Sequence, residues 1–209
     1  MSTHINTGVR KILENPKIYN LFHNLTGGNQ FRSVYFRQYF DLPNGSNVLD
    51  FGCGSGVMLS KIKNGIHYHG VDFEESYIDY CRRTYGDRGT FIHQKVGEEL
   101  RSEWLGYFDA INAHGLLHHL NDDDCTTLLE TAIKYLKTGG YLVTFDPTYH
   151  DTQSSIQRWF ISKDRGQNVK YYKDYLSFAS KHFSHIDHKI FDNYTRMPYS
   201  AIAMKMTKG

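Results

Sequence analysis

Between residues 47 and 146 short apolar runs alternate with amphipathic ones. NVLDF (47–51), IHYHGVDF (66–73), TFIHQK (90–95), FDAINAH (108–114) and YLVTFD (141–146) have the length and composition of strands. Residues 55–63, 75–85 and 123–137 carry helical periodicity, and 97–104 is a short helical or looped piece. In the third helix Leu128, Leu129, Ala132, Ile133 and Leu136 make one apolar stripe. Asn121, Asp122, Asp123 and Asp124 offer it capping oxygens and negative charge, and Gly139-Gly140 is expected to end it. Strand–helix alternation of this kind predicts a parallel sheet covered by helices on both faces.

The flanks follow another pattern. Residues 9–25 read as helical pieces broken around Pro16, 26–29 as a turn and 30–41 as a second helix. After Pro147 the rhythm lapses, a helix returns near 172–183, and two close strands at about 185–192 and 199–206 are expected to pair antiparallel. Seven strands result. The chain reads as one domain, with N-terminal helices in 1–45, a ligand-binding core in 46–147, an acceptor-side insertion in 148–172 and a C-terminal helix and hairpin in 173–209.

Composition narrows the function classes. The 209 residues are enough for one sizeable core, and a net charge of +2 without a long basic run argues against nucleic acid. No apolar run nears the roughly 18 residues of a membrane span, and the N-terminus lacks the apolar stretch of a secretory signal. Cys53, Cys81 and Cys125 are odd in number and form no CxxC pair, so neither a disulfide framework nor a metal site is expected, and a cytoplasmic home is.

The chemistry concentrates in VLDFGCGSG (48–56). Glycines after a first strand let a ligand approach the backbone. Asp72 ends the second strand, 22 residues after Asp50, where an acid commonly holds ribose hydroxyls; the plain alternative is a helix N-cap. A dinucleotide or S-adenosylmethionine fits this outline. The glycines read GxGxG rather than GxGxxG. Asp50, just before the turn, would repel a pyrophosphate but suits the ammonium and sulfonium groups of S-adenosylmethionine.

VLDFGCGSG, GVDFEESYI (70–78), FDAINAHGLLHHL (108–120) and LKTGGYLVTFDP (136–147) occur in order, and together they resemble the motifs of class I S-adenosylmethionine-dependent methyltransferases. The resemblance implies a Rossmann-like seven-stranded α/β sheet whose last strand runs antiparallel, with N-terminal lid helices like those of small bacterial members. It implies that Asp50, Gly52, Cys53 and Gly54 face the methionine part of S-adenosylmethionine. Asp72 would hold the ribose, Phe73 would lie on the adenine, and Asn112, Ala113 and His114 would line the sulfonium side. Family members often carry an acid after the third strand for the adenine amino group. HQKVGEE (93–99) departs from that pattern, so either Glu98 or backbone near Val96 and Gly97 would serve.

Methyl transfer to a weakly acidic group needs a base. His114, His118, His119, Asp146 and His150 all fall in or after ligand-facing strand ends. Tyr19 and Arg32 in the N-terminal stretch are candidates for facing cofactor or acceptor, and Arg32, Arg158 and Arg165 for an acceptor anion. The Asn/Asp-Pro-Pro-Tyr/Phe motif of many enzymes that methylate base or glutamine nitrogens is missing after the fourth strand. The expected activity is methylation of a small metabolite or sugar-like acceptor at oxygen, by a monomer or homodimer. The rivals are a dinucleotide-dependent oxidoreductase and a non-catalytic binding protein of the same fold.

Overall fold

The computed structural model describes residues 27–164 and 166–209. Its elements run α1 (Gly28–Tyr39), β1 (Asn47–Phe51), β2 (His67–Asp72), α2 (Glu75–Tyr85), β3 (Gly89–His93), β4 (Phe108–His114), α3 (Asp122–Tyr135), β5 (Leu136–Pro147), α4 (Ser155–Ile161), α5 (Tyr172–Ser180), β6 (His185–Asp192) and β7 (Ser200–Thr207). The strands form one seven-stranded sheet in the order β3-β2-β1-β4-β5-β7-β6. β1 to β5 pair in parallel, and β7 runs antiparallel between β5 and β6. The expected α/β sheet with a reversed last strand is therefore present.

Pleating sends alternate side chains to two cores. Leu49, Ile111 and Leu142 meet α3 and α5 through Leu128, Leu129, Ala132, Tyr175 and Ala179. Val48, Ala110, Val143 and Ala203 meet Tyr35 and Phe36 of α1, Phe40 just after it, and Ile78 and Cys81 of α2. The described part of the N-terminal region is thus core as well as cover. Tyr141 Oη reinforces it by donating to the Tyr39 carbonyl at 2.6 Å. Residues 9–25, with Tyr19, and Arg165 lie outside the described residues.

Three expectations are corrected. Residues 55–63 form successive turns, not a helix. Gly54 and Gly56 take positive φ, and Ser60 Oγ donates to the Val57 carbonyl at 2.7 Å, competing with a helical ladder. Gly139-Gly140 do not end α3. That helix stops at Tyr135, where the amides of Gly106 and Tyr107 donate to the carbonyls of Lys134 and Tyr135. The glycines sit inside the longer β5 beside a register shift against β4, and a Cβ on Gly140 would lie 3.0 Å from the Phe108 carbonyl oxygen. Finally, the stretch after β5 contains α4, opened by a capping box between Ser154 and Gln157.

Candidate functional site

The parallel strands all end on one side of the sheet, and the glycine turn leaves β1 there. Gly52, Gly54 and Gly56 have φ of 66°, 51° and 68°, the left-handed region that favours glycine. The turn is tied from within. The amides of Gly52 and Cys53 donate to the Val71 carbonyl at 2.8 and 3.1 Å, Gly54 N–H donates to Asp72 Oδ2 at 2.8 Å, and Gly56 N–H donates to the Cys53 carbonyl at 2.9 Å. Cys53 tucks its thiol under β2, where a Cβ on Gly70 would meet the sulfur at 2.9 Å, so only its backbone faces outward. A Cβ on Gly54 would meet nothing within 4 Å, which leaves room for a ligand against that residue.

Asp50 is buried among β1, β2 and β4. It accepts hydrogen bonds from Tyr68 Oη and Asn112 Nδ2, each at 2.6 Å. Burial pushes its carboxyl up to about 6, although both donors pull the other way. Asn112 Oδ1 is buried with no hydrogen-bond donor among the described residues. An ammonium group would supply that donor and a counter-charge for Asp50. The carboxylate, the buried amide oxygen and the open face of Gly54 therefore fit the amino-acid end of S-adenosylmethionine. Pyrophosphate finds neither the free amides nor the helix N-terminus it needs.

Asp72 serves two backbone groups at once, accepting from Gly54 N–H and, at 2.9 Å, from Glu74 N–H at the start of α2. Burial raises its carboxyl above the ordinary value despite these bonds. Phe73 follows, its carbonyl 2.8 Å from His93 Nε2. Gly97 has φ 95° and packs against Thr127. Glu98 turns back to accept from its own loop, at Lys95 N–H. Ala113 is fully buried in the α3-side core, so its methyl faces no ligand.

The candidate bases separate into three settings. His114 lies flat on Phe145, with ring centroids 4.9 Å apart and 8° between planes, and Tyr35 of α1 meets both rings edge-on. Phe31 and Tyr194 extend this aromatic wall against Phe145. His118 is buried in a 3-10 turn after β4, its Nδ1 2.8 Å from Asp146 Oδ1 at the end of β5. Its own backbone N–H donates to the same oxygen, and the His119 ring lies 4.0 Å away. His150 belongs elsewhere, with Nδ1 3.1 Å from Thr152 Oγ1 and Nε2 2.9 Å from Asp192 Oδ1. The structure brings His118, His119 and Asp146 together and sets His150 apart.

Arg32 is buried near the start of α1. Arg158 stacks over Tyr149 and Tyr171 and donates to the Tyr171 hydroxyl and the His150 carbonyl. Sequence reasoning missed Tyr68 and Asp164, which faces His118 Nε2 at 3.3 Å. Tyr68 was within reach, since it lies two residues from Gly70 on the same pleat face and Gly70 is the register partner of Asp50. Asp164 has no local signal, standing in an irregular stretch far from His118 in sequence. A cavity of about 440 Å³ at the opposite, amino-terminal strand ends, lined by Asn47, His67, His69, Arg88 and Tyr107 among others, is separate from all of these groups.

Comparison with known proteins agrees with this geometry. Residues 48–140 match a family model described as a methyltransferase domain. A ubiquinone biosynthesis O-methyltransferase of Xanthomonas axonopodis pv. citri is 27% identical over 145 residues, covering 66% of this chain and 59% of that protein. Phosphoethanolamine N-methyltransferase 1 of Zea mays is 30% identical over 119 residues, covering 55% of this chain and 24% of that one. The chain thus spans about three fifths or less of the length of these two relatives. The crystal structure of an S-adenosylmethionine-dependent methyltransferase from Archaeoglobus fulgidus shares the fold with a TM-score of 0.72 at 19% identity, covering 91% of this chain and 99% of that one. With the four motifs in order on the matching sheet, residues 48–140 carry a methyltransferase-domain match, and the chain is similar there to class I S-adenosylmethionine-dependent methyltransferases.

Proposed function

We propose that this chain transfers the methyl group of S-adenosylmethionine to an oxygen of a small metabolite or sugar-like acceptor. The observation that carries the reading is the internally tied glycine turn beside Asp50 and the unsatisfied Asn112 Oδ1. Such a site takes an ammonium in preference to a pyrophosphate. When bound, S-adenosylmethionine supplies an activated methyl group. Asp50 and Asn112 hold its amino-acid end, Asp72 the ribose, Phe73 and the backbone near Gly97 the adenine, and His114 borders the sulfonium. The two relatives methylate oxygen and nitrogen by their names, and the histidine–carboxylate arrangement of His118 and Asp146 favours oxygen. A hydroxyl must lose its proton as it is methylated, and an imidazole oriented by a buried carboxylate is built to take one. His118 is therefore the base within the cluster, with Asp146 fixing its ring. A cytoplasmic monomer or homodimer with a small-molecule acceptor completes the proposal.

Calorimetric titration with S-adenosylhomocysteine and with NAD tests the ligand class: the first binds and the second does not. Release of S-adenosylhomocysteine in the presence of a panel of phenols, catechols, sugars and hydroxy acids tests the acceptor class. Turnover of any of them, lost in His118→Gln with cofactor binding kept, supports the reading. Cofactor binding with no turnover on that panel or on a matching panel of amines favours the non-catalytic alternative.

A further inference from the structure

His118 is held on both sides. Asp146 lies 2.8 Å from Nδ1, and Asp164 lies 3.3 Å from Nε2 on the opposite edge of the ring. Asp164 is itself placed by two donors, Gly166 N–H at 2.7 Å to Oδ1 and the Tyr199 hydroxyl to Oδ2. The chain around it is fitted to the histidine. Asn168 N–H donates to the His118 carbonyl at 3.0 Å, and a Cβ on Gly166 would run into His118 Cδ2. Exposure grows along the series, with side-chain values of 1% at Asp146, 8% at His118 and 20% at Asp164. Tyr199 then faces Tyr194 at 6.3 Å between ring centroids, and Tyr194 packs on Phe145, the ring that carries His114. The series therefore runs from a buried carboxylate to the aromatic wall around Phe145 and His114.

We propose that Tyr199, Asp164, His118 and Asp146 form a proton relay in which Tyr199 meets the acceptor hydroxyl and Asp164 is the positioning residue that connects it to His118. This rests on the reading of His118 as the base. As the acceptor oxygen gains its carbon, its O–H bond breaks and Tyr199 Oη takes the proton. Tyr199 passes its own proton to Asp164 Oδ2, and the carboxyl group, turning about its Cβ–Cγ bond, delivers that proton to His118 Nε2, so the proton lost by the acceptor is the one gained by the imidazole. No electron changes hands, and the proton later returns to solvent by the same path. A neutral imidazole donates from one nitrogen only, so with Nδ1–H directed at Asp146 the Nε2 side is left to receive. Among the described residues, the charged and titratable groups around His118 are Asp146 of β5, Asp164 after α4 and the neighbouring His119. Cys125 of α3 and Tyr175 of α5 lie beyond Asp146, and Tyr149 and Tyr199 beyond Asp164.

The test needs no known acceptor. The whole protein, labelled with ¹⁵N-histidine and saturated with S-adenosylhomocysteine, is titrated by long-range ¹H–¹⁵N correlation, with His118→Gln used to assign the His118 ring. Asp164→Asn should lower the pH midpoint of His118 by about one unit or more, because it removes an anion facing Nε2. Asp164→Glu should restore much of that midpoint. Tyr199→Phe should raise it, because Asp164 loses a donor that draws off its charge. Loss of packing alone would not move two variants in opposite directions. A midpoint unchanged in Asp164→Asn, or lowered in Tyr199→Phe, overturns the relay while the base reading stands. Full methyl transfer by His118→Gln overturns the base reading itself. For the best hydroxyl substrate of the panel, Tyr199→Phe should lower kcat about 100-fold with the affinity for S-adenosylhomocysteine unchanged, and an unchanged kcat refutes the role of Tyr199.

Discussion

Replacing Asp50 by Asn should stabilise the ligand-free protein and weaken the cofactor together. Burial raises the Asp50 carboxyl from an ordinary 3.8 to about 6. Its ionised form is therefore held at a cost in the folded chain. A gap of about 2 pH units corresponds to about 3 kcal/mol. The sign follows from linkage. The folded state binds the proton more tightly, so the cost is fully present above pH 6 and disappears as pH falls toward the unfolded value. The substituted amide can keep the Tyr68 hydroxyl as a donor. Its new N–H group can also be met, because Asn112 Oδ1 has no donor of its own among the described residues and turns in when that amide rotates. The melting temperature at pH 7.5 should rise, by at most roughly 10 °C on the usual conversion for a chain of this size, and the difference should close as pH approaches 4. Meanwhile one charge-assisted hydrogen bond to the ammonium is lost. Such a bond contributes about 1.5–3 kcal/mol, or about 10- to 150-fold in Kd. Scanning calorimetry between pH 4 and 8 and titration with S-adenosylhomocysteine read the two effects separately. A variant that melts below the natural protein at pH 7.5, or binds S-adenosylhomocysteine as tightly, refutes the reasoning.

Gly54→Ala and Gly56→Ala should part company. Both carry positive φ, costing about 1–2 kcal/mol for a side chain, but Gly54 faces open space whereas a Cβ on Gly56 would lie 2.6 Å from the Tyr85 ring. The first should melt only slightly lower yet lose S-adenosylhomocysteine binding, the second should melt well below it, and the reverse order of melting would contradict the packing. Gly166→Ala should push Asp164, Gly166 and Asn168 off His118, seen as a moved His118 ring signal, since its Cβ would come 2.5 Å from the His118 carbonyl oxygen as well as into the ring. Asp192→Asn should destabilise at neutral pH. Burial draws the Asp192 carboxyl upward, but bonds from Ser200, His150 and Gln157 outweigh it and hold it below the ordinary value. Its contribution is present above the unfolded pKa and lost as pH falls through the folded one, so the two melting curves should converge in acid.

β1, β4 and α2 sit where periodicity and turn residues predict them, because each buries a clear run or stripe between strong breakers, and β6 does so as a half-exposed edge strand whose pairing with β7 the short connection announces. The turns at 55–63 mimic a helix in sequence because Met58, Leu59 and Ile62 have helical spacing, while the glycines and the Ser60 hydroxyl decide the backbone. The helix end at Tyr135 has no local mark because its carbonyls are met by residues 106 and 107, distant in sequence. Ser154 and Gln157 do spell out a capping box that a local reading can find. The site divides in the same way. Asp50, the glycines, Asp72 and Asn112 are legible from their places at strand ends. Asp164 and Tyr199 reach His118 only through a loop and the start of β7, which no local pattern announces.

The position of β7 has a consequence for the order of assembly. It is the last of the seven strands to leave the ribosome, yet it lies between β5 and β6. Until residues 200–207 emerge, β5 presents an open edge and β6 has no neighbour to pair with. Tyr199, immediately before β7, cannot reach Asp164 until that strand is in place. The nascent chain therefore closes its sheet and completes the His118 cluster in one late event, and an arrest shortly before residue 200 would leave an unpaired edge exposed to other chains.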